Sequence, residues 1–442
     1  MSEPFAHSES AAPTARDAHE PAAAMAMPAA GHGRATVRAV AAILCYQGYA
    51  STILGVGAPF IAKGFGLDQS AIARLYAWIA LHALGGLMLS RMADVVGRRR
   101  IVLVGLVVTP IASLGAALSG RIVWFIFFEI ITYAAVGATF SSCFVMLAEA
   151  LPIGARARGQ GFAHLAASWG GGICVILAPI LAHFGWSWRW LLAIPAAGIV
   201  LVPKLMRMIP ESERWQRMAT SGNAKASRFY DVFRPPYRRR ALPLVAATLL
   251  GDIAGAAVLA WPFYHAVTVV GLSPAKASIM MLTGGSFGFA GLALGAWSSE
   301  RIGRVRSVLT LGLAGIVGAL AFYWGPPANF AWPMLWLIVA HSWQVVAGRG
   351  TIVAAISAVT ELFPTALRGT IMGWLALCGA ISAITAQATI AILARPLGGL
   401  SNVVGWLALL AIPCVLIWGF FIQETRGLSL EAAAGEEQSA AR

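Results

Sequence analysis

Residues 93–100 read ADVVGRRR, and residues 299–306 read SERIGRVR. In each, an acidic residue is followed three and four positions on by Gly-Arg, and each separates two long apolar runs. A second pair of stretches shares Glu-x-x-Pro, AEALPIGAR at 148–156 and TELFPTALR at 360–368. The offsets are 206 and 212 residues, so the two pairs mark equivalent places in two halves of one chain. Internal repetition of this kind in an apolar chain is the architecture of secondary transporters, with sites at the repeat interface near the bilayer midplane.

The runs around these motifs say what the solvent is. Hydrophobic residues fill 59% of the 442 positions and charged residues only 11%, against about 45–50% and about 25% in soluble domains. Mean hydropathy is +0.75. A membrane-spanning helix needs about 20 apolar residues. Twelve segments meet that length, near 36–61, 71–91, 101–119, 122–148, 161–183, 190–207, 241–268, 276–298, 306–324, 331–359, 370–394 and 402–422. The polar stretch between the sixth and seventh divides them six and six. The expectation is an all-α membrane protein, twelve transmembrane helices in two pseudo-symmetric six-helix bundles, 35–208 and 241–422. The remaining parts are a loop at 209–240 and tails at 1–34 and 423–442. The Ala-, Pro- and Ser-rich N-terminal tail has no apolar signal-peptide core and reads as disordered.

The net charge of +14 does not point to nucleic acid, because the basic residues gather in loops on one side. Those loops are 97–100, 155–158, the central loop, 300–306 and Arg368, whereas the opposite loops hold only residues such as Lys63, Arg121 and Lys276. The positive-inside bias then puts both termini in the cytoplasm and the chain in the cytoplasmic membrane. Cys45, Cys143, Cys174, Cys378 and Cys414 all lie in apolar segments without CxxC or metal-ligand spacing, and read as packing residues. No P-loop pattern is present. Neither a cofactor nor an enzyme activity is expected.

These motifs resemble the major facilitator superfamily. Asp94-x-x-Gly97-Arg98-Arg99-Arg100 is similar to its signature between the second and third helices, and Glu300-x-x-Gly303-Arg304 echoes it. Glu149-x-x-Pro152 and Glu361-x-x-Pro364-x-x-x-Arg368 resemble the sugar porter, aromatic-acid and metabolite symporter branches. So do WSWRW (186–190) with IPESERW (209–215), and QETRGLSLE (423–431). The chain also departs from those branches. Its seventh helix, LLGDIAGAAVLAWPFYH, lacks the Gln-Gln pair of sugar porters. Helix one reads Gln47-Gly48-Tyr49-Ala50 where aromatic-acid symporters carry Asp-Gly-Phe-Asp, and Glu129 stands where the family has a helix-four arginine.

The resemblance implies that helices 1, 4, 7 and 10 line a central cavity. A charge at the bilayer centre costs about 2.5–3.5 kcal/mol on the gentlest scale, so each ionisable group inside these helices is a candidate site residue. Arg349, in HSWQVVAGRG (341–350), offers a planar fork of donors suited to a carboxylate; a structural ion pair with Glu129 or Asp252 is the alternative. His341, about 12 Å from Arg349 along one helix, is either a proton relay or a neutral partner of Gln344 or of substrate. Gln47, Tyr46 and Tyr49 are candidates for selectivity.

Asp252 and Glu129 are the candidate proton carriers, since coupling needs an acid whose charge depends on its surroundings. Asp252 reads equally well as a hydrogen-bond partner in a glycine-flanked helix. Asp94, Gly97, Arg98, Glu149, Arg156, Arg158, Glu300, Gly303, Arg304, Glu361 and Arg368 read as gates that the resemblance implies latch the cytoplasmic side; alternatively the arginines only hold loops inside. Trp186, Trp188, Trp190, Trp261 and Trp332 are expected in an interfacial belt, and His82, His164 and His265 are read as packing or surface residues.

The function expected is secondary active transport of a small organic anion, a carboxylate and possible aromatic, by alternating access in symport with protons. Its partners are that substrate, protons and the lipid bilayer, with no nucleic acid, and the working unit is a monomer. A neutral, cationic or sugar-like cargo is the alternative, and a non-transporting receptor a more distant one.

Overall fold

The computed structural model describes residues 30–151, 153–209, 230–235, 237–325 and 330–427. Most of the expected 1–34 and 423–442 tails and of the 209–240 loop therefore lies outside the described residues. Among the described residues, eleven single helices are long and apolar enough to cross a bilayer. They are α1 (Thr36–Phe65), α2 (Gln69–Ala93), α3 (Arg98–Leu118), α4 (Ile122–Leu147), α5 (Gly159–His183), α7 (Arg238–Ala260), α8 (Pro274–Arg301), α9 (Arg304–Trp324), α10 (Pro333–Leu362), α11 (Leu367–Leu393) and α12 (Leu400–Phe421). The sixth, α6, is a pair, Arg189–Val200 and Val202–Met208, bent by 53°. Its 3₁₀ turns over Ile194–Leu201 carry Pro195, and Pro203 follows; a missing N–H and a tighter turn are the usual causes of such a bend. Twelve spans result when the bent pair is one of them.

The two acidic-Gly-Arg motifs adopt one backbone shape. Gly97 has φ 103° and Gly303 φ 108°, a region closed to residues with a Cβ. Gly97 caps both helices it joins and Gly303, after Ile302, caps the start of the next, so the motif turns the chain sharply from α2 into α3 and from α8 into α9. The repeat read from the sequence is thus a repeat in geometry.

Glycine also sets the closest helix contacts. A Cβ on Gly291 would lie 2.5 Å from the Val346 carbonyl oxygen, and one on Gly295 2.5 Å from that of Gly350, so α8 and α10 touch backbone to backbone. Gly48 against Ala167 and Gly170 against Cys45 do the same for α1 and α5. Without a hydrophobic drive between helices in lipid, close van der Waals approach of this kind holds them together. Outward, side chains such as Phe420, Leu118, Val200 and Ile392 are more than 70% exposed, an apolar periphery that only lipid can cover.

The apolar clusters show how the bundles meet. At the end away from the basic loops, one cluster joins both halves, uniting Tyr49, Ile53, Leu54 and Tyr76 with Trp261, Phe263 and Leu400. Tyr76 stacks on Trp261 at 4.5 Å between ring centroids, and Phe60 faces Phe263 at 6.4 Å. Arg395 reaches Asp68 at 2.6 Å, the Leu400 N–H donates to Gln69, and Ser278 donates to the Val175 carbonyl. At the basic end the cores are separate: Ala39, Ile43, Val102, Leu106 and Met146 belong to one cluster, and Leu244, Val305, Ala354, Leu362 and Trp418 to another. The apolar core is therefore shared between the bundles at the far end, as a seal, and divided towards the basic end, where α2 and α11 still meet at Arg91 and Gly373. Trp261, expected in the interfacial belt, is fully buried in that seal, and Trp188 packs over Gly64 and Phe65. Trp186, Trp190 and Trp332 remain exposed.

Candidate functional site

On the N-terminal bundle the site is built where α1 is held by two tyrosines. The Tyr133 hydroxyl of α4 donates to the Ser51 carbonyl at 3.2 Å and accepts the Leu54 N–H at 3.1 Å. The Tyr76 hydroxyl of α2 donates to the Leu54 carbonyl. Pro59, one turn on, supplies no N–H to the α1 ladder, so side chains stabilise backbone groups along this stretch. Ser51 is exposed, His82 packs edge-on to Tyr133 at 5.2 Å, and a Cβ at Gly137 would meet open space.

One turn from Tyr133 towards the seal, Glu129 is 1% exposed, and neither carboxylate oxygen has a hydrogen-bond partner. It lies close enough to Tyr76 and Tyr133 for electrostatic interaction with both.

On the C-terminal bundle Asp252 of α7 is half-buried. A Cβ on Gly379 of α11 would lie 3.4 Å from its Oδ2, and Cys378 and Cys414 are its other electrostatic neighbours. Arg349 of α10 is exposed, with its stem over Gly288 of α8. Its guanidinium is within electrostatic reach of His164 on α5, in the other bundle. The His164 ring in turn stacks on Phe144 at 4.4 Å. Further along the same line α5 touches α8 directly, Gly172 facing Leu282. Arg349 therefore faces the space that opens as the bundles diverge. Among the described residues it forms no ion pair, neither with Glu129 nor with Asp252, and the structural ion-pair alternative does not arise.

Four sequence candidates are directed elsewhere. His341 is 4% exposed, bonded to Gln344 at 2.9 Å and packed on Gly284 and Phe322. Gln47 is fully buried against Thr109 of α3, and the hydroxyls of Tyr46 and Tyr49 donate to the Pro195 and Leu191 carbonyls of α6. These groups fix α1 and α10 in place, with their polar atoms turned from the opening.

The loop motifs form a compact knot in the C-terminal bundle. Arg304 pairs with Glu361 at 2.8 Å, and Thr425 donates to the other Glu361 oxygen. Glu424 accepts the N–H groups of Arg304 and Val305, capping the N-terminus of α9 directly above Gly303, where the helix dipole favours an anion. Arg368 donates to the Phe363 carbonyl, and Glu300 is exposed with no described partner. In the N-terminal bundle Arg99 donates to the Ile209 and Met206 carbonyls at the end of α6. Arg98 sits at the start of α3. The side chains of Asp94, Glu149, Arg156 and Arg158 lie outside the described residues. Sequence reasoning missed Glu424 and Thr425 as parts of this knot, although QETRG had marked the segment, and it missed Tyr76 and Tyr133 altogether.

Comparisons with known proteins agree with this geometry. The D-xylose-proton symporter superimposes with a TM-score of 0.72 at 17% identity, covering 90% of this chain and 99% of its own. The gentisate transporter of Corynebacterium glutamicum is 26% identical over 379 residues, 81% of this chain and 80% of its own. The cis,cis-muconate transport protein of Acinetobacter baylyi is 26% identical over 329 residues, 72% of this chain and 76% of its own. The Major Facilitator Superfamily profile matches residues 40–387. With two six-helix bundles and a repeated glycine turn, this multi-pass membrane protein belongs to the Major Facilitator Superfamily.

Proposed function

We propose that the protein imports a small aromatic or muconate-like carboxylate together with protons, by alternating access across the cytoplasmic membrane. In this reading the basic end is cytoplasmic, both termini lie there, the tails and the 209–240 loop stay on that side, and the monomer is the working unit. The observation that carries it is the unpaired guanidinium of Arg349 between the bundles. A permanent cation in a partly dehydrated cleft needs an anion, and its planar fork suits a carboxylate. That two relatives carry names of aromatic or ring-cleavage acids points the same way.

Glu129 and Asp252 are the proton carriers of the mechanism. An isolated ionised carboxylate in an apolar cage is very costly, so Glu129 is suited to travel as the neutral acid. Asp252, half-buried on the open side, is suited to exchange its proton with cytoplasmic water. Binding of substrate at Arg349 and of a proton at these acids lets the bundles rock past one another around the site. Asp94, Glu149, Glu300, Glu361 and the arginines near them act at the cytoplasmic rim, and the described C-terminal knot acts within its own bundle.

The test is uptake by purified protein in proteoliposomes with an acidic exterior. Radiolabelled gentisate is expected to accumulate above equilibrium, collapse with a protonophore, and compete with cis,cis-muconate but not with 2,5-dihydroxybenzamide. Uptake of the amide, or of neutral sugars, in preference to the carboxylates would replace this reading with a neutral or cationic cargo.

A further inference from the structure

The seal at the far end and the orphaned acid are joined by the same two tyrosines. Tyr76 has one face on Trp261, the C-terminal partner in the seal, and its hydroxyl on the Leu54 carbonyl. Tyr133 holds Ser51 and Leu54 one helical turn away. Glu129 interacts electrostatically with both rings yet accepts a hydrogen bond from neither. Each hydroxyl has one proton to donate, and both are spent on α1.

We propose that Tyr76 and Tyr133 are positioning residues that link the charge on Glu129 to the far-end seal, by donating either to α1 or to the Glu129 carboxylate. With Glu129 neutral, the hydroxyls hold α1 at Ser51 and Leu54, and Tyr76 is held against Trp261, its ring tilted by 34°. When Glu129 loses its proton towards the cytoplasmic opening, its carboxylate becomes the stronger acceptor, because hydrogen bonds to an ionised group are about twice as strong as neutral ones. The hydroxyls swing to it, α1 is released, and the Tyr76–Trp261 stack separates. Proton uptake from the outside reverses these steps and closes the seal, which is the order that symport requires. The other titratable groups facing this cluster are His82 on α2, stacked on Tyr133, Cys174 on α5, beside Tyr133, and Tyr264 after α7, beside Tyr76. None of them is a fixed charge in contact with Glu129 that would substitute for the hydroxyls.

The inference rests on the reading of Glu129 as a proton carrier, and the experiment separates the two. Spin labels at Lys63→Cys and Lys276→Cys, on exposed outer positions of opposite bundles in a background without the five native cysteines, report the far-end distance from pH 5.5 to 8.5. The open-to-closed ratio of the otherwise unchanged protein is expected to rise about tenfold with pH. The double variant Tyr76→Phe/Tyr133→Phe is expected to respond less than twofold, and Glu129→Gln to stay closed throughout.

Hydrogen–deuterium exchange of the peptide covering Ser51 to Leu54, corrected for intrinsic pH dependence, gives the same readout in the native-cysteine protein. A full pH response in the double Phe variant, with Glu129→Gln unresponsive, overturns the tyrosine link and leaves Glu129 as the proton carrier. A full response in Glu129→Gln overturns both, as does the absence of any response in the unsubstituted protein.

Discussion

Arg349 and Glu129 were legible in the sequence because membranes make charge conspicuous: a few ionic residues in apolar runs cannot be accidental. What the sequence hides is direction. His341 sits two helical turns from Arg349 yet turns to Gln344 and Phe322, and Gln47 turns to Thr109. A phenol donating to a main-chain carbonyl on another helix leaves no pattern in the residue order, which is why Tyr76 and Tyr133 went unseen. Arg349→Lys replaces a bidentate fork by a point charge. It is expected to leave thermal stability in detergent within a few degrees and to cut gentisate uptake at least about tenfold, the loss of roughly one charge-assisted bond. Unchanged uptake would remove Arg349 from the site. Glu129→Gln and Asp252→Asn are each expected to abolish accumulation driven by a pH gradient while preserving exchange of labelled for unlabelled gentisate; accumulation that survives both changes would move the coupling site elsewhere.

At the scale of elements, the glycine turns were the most readable feature, since Gly-Arg after an acidic residue recurs and the backbone at Gly97 and Gly303 has positive φ. The bend in α6 was not, because WLLAIPAAGIVLVPK is as apolar as any straight span and its length alone counts as one helix. Alanine at Gly303 would place a Cβ 2.3 Å from Glu424 Oε2 at φ 108°. The strain is expected to cost about 1–3 kcal/mol, seen as a lower midpoint of thermal unfolding, whereas alanine at Gly369, which has open space around it, is expected to be near neutral. Equal midpoints for the two variants would refute the account of the turn.

For the whole molecule, the repeat predicted two bundles, but nothing in the residue order said which end of the cleft is shut. That depends on pairs 327 residues apart, such as Arg395 with Asp68. The Arg395 hydrogen bond, then the Ala71 N–H, holds the Asp68 carboxyl well below the usual carboxylate range. A carboxyl lowered in the closed form contributes to closure at any pH above the ordinary value of about 3.9 and loses that contribution as pH falls below it. From pH 5 to 8 this pair is therefore constant, and pH dependence there belongs to other groups. The pair is exposed, so it is worth little. Asp68→Asn is expected to raise the far-end open fraction by less than about fivefold, with the difference shrinking in 1 M salt and beginning to shrink as pH falls below about 3.9; spin-label distances would check all three.

The knot of Arg304, Glu361, Glu424 and Thr425 has a mechanical meaning. The residues that follow α12 are tied back onto α9 and α10, so three helices share one rivet and swing as a single lever arm. A protease that cuts the chain just before Glu424 would leave every span intact and still slacken the machine, because the force of rocking would no longer reach the rim.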